Sequence, residues 1–102
     1  LDVIGLVRAR EAALGARLRT LLSHASVRGV RGVGFLWAVE FAHAAVANRV
    51  VVRALARGAI LLQSGETGTS ITIAPPLTIG DAQLARGLDV FEAAVREAEE
   101  QP

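Results

Sequence analysis

The chain has 102 residues, a formal net charge of +1 and a hydrophobic fraction of 52%, with aromatics at only 4%. That is enough for one domain with a largely aliphatic core. Its eleven basic residues, all arginine, are interspersed with ten acids, which excludes the clustered basic patch of a nucleic-acid binder. Cysteine is absent, which excludes disulfides and thiolate metal sites, and no apolar run reaches the ~18 residues of a membrane span.

With no signal-peptide pattern at its start, the expected compartment is the cytoplasm. Methionine is also absent, and the opening "LDVIGLVRARE" reads as the interior of a helix, with Asp2 an improvised N-cap. Residues 1–102 are therefore expected to form a single domain that is part of a longer protein.

In chain order, residues 3–23 read as a helix. Val3, Val7, Leu14, Leu18, Leu21 and Leu22 fall on one stripe, and Arg8, Arg10, Glu11, Arg17 and Arg19 on the other face. Gly15 is a weak spot there, costing roughly 1 kcal/mol against alanine. "VRGVRGVGFLWAVEF" then gives a short extended segment at 27–30, a turn at Gly32 and a strand over 34–41. Residues 43–57 mix helix-favouring alanines with the β-favouring run "RVVVR". Their length and the closing Gly58, a natural C′ residue, predict a helix. A buried strand at 59–63, a hairpin loop at 64–70 and a returning strand at 71–74 follow. The last helix is announced by Thr78 and Asp81 at capping-box spacing, with Leu84, Leu88, Phe91, Val95 and Ala98 on its buried face. Its acidic end, Glu97, Glu99 and Glu100, is expected to be solvated and frayed, because acids oppose the negative end of the helix dipole. This pattern predicts an α+β fold, a small antiparallel or mixed sheet with helices on one face, in the order helix-strand-helix-strand-strand-helix.

Pro75 and Pro76 sit between the last strand and the last helix. Neither can donate a ladder hydrogen bond, and each holds its predecessor extended, so together they end the strand and delay the helix.

"VRGVRGVGFLWAVEF", "RGAILL" and "ITIAPPLTIGD" together resemble the C-terminal small domain of class III aminotransferases, the fold type I pyridoxal-phosphate enzymes of the acetylornithine, ornithine and 4-aminobutyrate type. The matching landmarks are Arg28 to Gly34, Glu40, Gly58 and Ala74 to Leu77. The resemblance implies a parent enzyme that moves an amino group between an amine or amino acid and an oxo acid. It implies pyridoxal phosphate bound by a large domain of the same enzyme, which carries the Schiff-base lysine, and a homodimeric parent. This chain has no lysine, so no catalytic or cofactor-binding residue is expected within it. At Thr72, three residues before the first proline, the resemblance implies a substrate contact. Relatives of the ornithine branch commonly place there an arginine that clamps a substrate carboxylate, whereas threonine offers one hydroxyl and no charge. The competing expectation is a free-standing α+β interaction module without catalysis.

Other residues carry blander expectations. Gly29, Gly32 and Gly34 miss the G-x-G-x-x-G spacing and lead into a strand, which points to a turn rather than a phosphate cradle. His24 is placed at a helix C-terminus, and with His43 makes no metal site. Ser64 and Ser70 lack a nucleophile-elbow context. Glu40 is expected to form an ion pair with Arg28 or Arg31, and Trp37 to be core or domain interface.

Overall fold

The computed structural model describes residues 3–59, 61–76 and 78–100. Expectations placed on Asp2, Ile60, Leu77 and the Val3 side chain lie outside what is described. Helix α1 runs Val3–Arg19 and continues as a 3-10 turn over Thr20–Ser23. The tightening has a local cause: the Thr20 hydroxyl donates back to the Arg17 carbonyl (2.6 Å) and the Ser23 hydroxyl to that of Thr20 (2.9 Å). Leu14, Leu18 and Leu21 are buried as the stripe requires, but the 3-10 turn rotates Leu22 out to 49% exposure.

The glycine-rich segment differs from expectation. Strand β1 spans Val27–Val33 and β2 spans Leu36–Phe41, a hairpin turning at Gly34, whose φ is +60°. The short extended segment is thus a full strand, and the turn lies two residues after Gly32. Gly32 serves close packing instead: a Cβ there would stand 2.5 Å from both the Leu36 carbonyl oxygen and Trp37 Cδ2. A bulge between Val27 and Gly29 shifts the register.

Helix α2, Ala44–Ala56, forms through the valine run, and its closure is set by Gly58 as expected. The Ala59 N–H donates to the Ala54 carbonyl and the Gly58 N–H to Leu55, both at 2.9 Å, with Gly58 at φ +91°. That is a Schellman closure. Strand β3 is only Leu62–Ser64 and β4 is Ser70–Ile73. The buried strand expected at 59–63 is instead a short edge, with Leu62 71% exposed. Gly65 and Gly68, both at positive φ, turn the connecting loop.

After Pro75 and Pro76 the Ile79 N–H closes a turn onto the Pro76 carbonyl (3.0 Å). Helix α3 then runs Asp81–Glu100. Its cap is not Thr78, which is exposed in the turn. Gly80 is the half-in residue: its carbonyl accepts from Leu84 (2.9 Å), and its N–H donates to Gln83 Oε1 (3.2 Å). This is the return arm of a capping box, displaced by two residues. Nor does the far end fray before Glu100. Glu97 pairs with Arg57, while Glu99 accepts from His24 Nδ1 (2.9 Å) and the Ser26 N–H (2.7 Å).

The strands form one antiparallel sheet in the order β1-β2-β4-β3. The fold is α+β as predicted, with one strand more than the expected order. Trp37, Val39 and Phe41 of β2 and Ile71 of β4 point to one face, where they meet Leu14 and Leu18 of α1, Val50 of α2, and Leu88, Phe91 and Val95 of α3. Alanines 47, 54, 94 and 98 are fully buried and let α2 and α3 approach closely. The arginines of α1 reach across to α3, with Arg10 paired to Asp81 (2.9 Å) and Arg17 to Asp89. Trp37 is core, 5% exposed, its indole N–H donating to the Gly34 carbonyl (2.7 Å). Among the described residues no helix is long and apolar enough to cross a membrane.

Candidate functional site

The three helices cover one face of the sheet, and strand alternation dictates what the other face carries. Opposed residues of antiparallel strands share a face, so the register defines rows across it. One row is Arg31, Ala38, Thr72 and Leu62. The next is Gly29, Glu40, Ser70 and Ser64. Val33 and Leu36 close the far end of the β1-β2 hairpin, and with Leu62 are 78%, 59% and 71% exposed. Three large apolar side chains beside a polar seam on a bare sheet are a surface suited to be covered.

Thr72 lies at the centre of this face. Its hydroxyl is 2.9 Å from that of Ser64, and the Ser64 hydroxyl also reaches the Ser70 carbonyl (3.3 Å). Among the described residues Glu40 forms no ion pair with Arg28 or Arg31. Its carboxylate instead accepts from the hydroxyls of Ser70 and Thr69, because the register sets it opposite Ser70 at the loop end of β4. The Ser70 bond, then the Thr69 bond, hold the Glu40 carboxyl below its ordinary value, against a smaller opposing effect of burial; the charge of Arg31 adds a little. Sequence reasoning missed this hydroxyl–carboxylate cluster. The signal was the hydroxyl-rich loop "SGETGTS" followed by a strand whose even positions face the same way as Glu40.

Two depressions meet at Thr72. One, about 380 Å³, opens on the bare face between Arg31, Val33, Leu36, Ala38 and Thr72. The other, about 220 Å³ and apolar, lies past the end of β3 between Leu61, Ile73, Pro75 and the Leu84, Leu88 and Phe91 side of α3. His24 and His43 stay apart in role, the first bound to Glu99 and the second at the N-cap of α2, and among the described residues no trio of His, Cys, Asp and Glu converges as a metal site. Gly29 and Gly32 lie within β1, not in a phosphate loop.

A pyridoxal-phosphate site does not fit this chain by itself. A Schiff base needs a lysine, and the sequence contains none. Among the described residues, the rows of the bare face carry the guanidinium of Arg31 and the hydroxyls of Ser64, Ser70 and Thr72.

Comparison with known proteins gives the context in which such a face belongs. The family model for aminotransferase class-III matches residues 2–95. A diaminobutyrate–2-oxoglutarate transaminase of Bordetella parapertussis is 42% identical over 76 residues, covering 72% of this chain and 18% of that protein. A 5-aminovalerate aminotransferase of Pseudomonas aeruginosa is 35% identical over 95 residues, 80% of this chain and 22% of that protein. In fold, the chain superposes on a PMP-bound aminotransferase from Vibrio fluvialis with a TM-score of 0.82 at 22% identity, covering 98% of this chain and 24% of that one. The chain thus spans about a fifth of the length of the curated relatives it matches. It belongs to the class III aminotransferase family.

Proposed function

We propose that this chain is the C-terminal small domain of a pyridoxal-phosphate-dependent aminotransferase, and that its bare sheet face forms one wall of an active site completed by a large domain. The observation that carries the reading is the one-sided sheet. All three helices lie behind it, and its uncovered face holds Thr72 among apolar residues that are costly to leave in water. The small share of each relative that the chain spans supports a missing large domain, which supplies the lysine and the phosphate site. PLP- and PMP-bound neighbours of the same fold support the cofactor. The named relatives act on diaminobutyrate, 5-aminovalerate and 4-aminobutyrate, which supports a donor of the 4-aminobutyrate class with 2-oxoglutarate or a similar oxo acid as acceptor. The parent is proposed to be a cytoplasmic homodimer.

Within that wall Thr72 is proposed to contact substrate. It supplies a neutral hydroxyl, 2.9 Å from that of Ser64, at the position where the resemblance to the ornithine branch implies an arginine. Pro75 and Pro76 stiffen the link from β4 to α3, so the wall moves as one piece with the helix behind it. The test is amino transfer by the full-length protein containing this chain. Thr72→Ala is expected to raise KM for the preferred donor several-fold, as loss of one neutral hydrogen bond of about 1 kcal/mol does. Unchanged kinetics for every donor would remove Thr72 from the site. The 102-residue polypeptide alone is expected to show no specific pyridoxal-phosphate absorbance beyond that of its terminal amine.

A further inference from the structure

Arg31 is a charged group whose one interaction is a weak through-space effect on Glu40. Among the described residues its guanidinium makes no hydrogen bond and no ion pair. Glu40, the carboxylate of the adjoining row, is occupied by Thr69 and Ser70 and turned toward β4. The register decides what Arg31 faces instead. It lies opposite Ala38, and Ala38 lies opposite Thr72. Two interstrand steps of about 4.8 Å put the Arg31 and Thr72 backbones roughly 10 Å apart. Ala38 stands between them in the row, and with Val33 and Leu36 it lines the depression that Arg31 and Thr72 share. A long cationic side chain at one rim and a short hydroxyl at the other leave a gap that suits a carboxylate, which accepts a two-pronged guanidinium contact at about 2.8 Å. The Ser64 hydroxyl donates to the Ser70 carbonyl (3.3 Å), which makes Thr72 the donor in their 2.9 Å contact, so to donate to a carboxylate the Thr72 hydroxyl turns from Ser64 toward Ala38.

We propose that Arg31, reaching from β1 across Ala38, is the residue that selects donors carrying a carboxylate, with Thr72 completing the grip by a hydrogen bond. The inference rests on the reading of the chain as an aminotransferase wall. The apolar walls at Val33 and Leu36 accept the methylene spacer between amine and carboxylate.

The test compares paired donors on the full-length protein: 5-aminovalerate against pentylamine, and diaminobutyrate against diaminopropane, which lack the carboxylate. Arg31→Gln is expected to lower kcat/KM for the carboxylated donors by about 30-fold or more while changing that for the carboxylate-free amines by less than about threefold. Arg28→Gln, an exposed neighbour on the same strand, is expected to leave the ratio unchanged. Equal losses for both members of a pair, or no loss for either, would overturn the proposal while leaving the aminotransferase reading intact. A wild-type protein that transaminates no amine would overturn both. Should Arg31→Gln fail to fold, Arg31→Lys keeps the charge and loses the planar fork. A roughly fivefold fall in the carboxylate preference supports the proposal, and an unchanged preference refutes it.

Discussion

Gly15 gives the sharpest check on how this core is assembled. By helix propensity alone, Gly15→Ala stabilises α1 by about 1 kcal/mol. The tertiary structure reverses the sign. A Cβ at position 15 would stand 2.6 Å from Trp37 Cζ2 and 2.7 Å from Cη2, with Arg19 Nη1 at 3.2 Å. Ordinary carbon contacts lie near 3.5–4.0 Å, so something must move. The ring is poorly placed to do so: its N–H is bonded to the Gly34 carbonyl, and the Arg19 guanidinium lies against it, 4.9 Å from its centroid. Overpacking of this kind costs about 1–3 kcal/mol. Set against the propensity gain, the expected result is a net loss of about 1 kcal/mol, or roughly 4–8 °C in Tm for a domain of this size. Trp37→Phe removes both clashing atoms, so in that background Gly15→Ala should recover the propensity gain and become stabilising. The two effects differ by a coupling energy of about 2 kcal/mol, which a double-mutant cycle measured by circular-dichroism melts resolves. A higher Tm for Gly15→Ala in the wild-type background, or the same effect in both, would refute the reasoning.

Further expectations follow from the caps and the carboxylates. Gly58→Ala, at φ +91°, is expected to cost about 1 kcal/mol although no atom lies near the added Cβ, because the loss is conformational; a Tm equal to wild type would place the Schellman closure in doubt. Burial raises the Glu99 pKa, but hydrogen bonds from Ser26 and His24 outweigh it and leave the carboxyl below its ordinary value of 4.5. A carboxyl lowered on folding contributes stability that is present above its unfolded value and fades as pH falls through the folded one. Glu99→Gln is therefore expected to destabilise the chain at neutral pH and to flatten its acid limb below about pH 4.5, read from urea midpoints across pH. A variant with an unaltered acid limb would show that Glu99 does not pin α3 to the start of β1.

Local chemistry alone determined the strand-proline-helix elbow, the closure of α2 at Gly58, the leucine and phenylalanine stripes and the α+β class, because each depends on backbone sterics or on a period of two or 3.6 within one segment. The same local view misplaced what depends on a distant partner. Gly32 reads as a turn until Trp37 is seen to need its bare backbone, and Gly15 reads as a defect until the same ring is laid against it. The acidic end of α3 reads as frayed until Arg57, His24 and Ser26 arrive to meet it. Thr72 was legible as a position worth attention, but not its company. Arg31, Ala38 and Thr72 stand far apart in the chain, and only antiparallel register, a property of paired strands, sets them in one row on the face the helices leave bare.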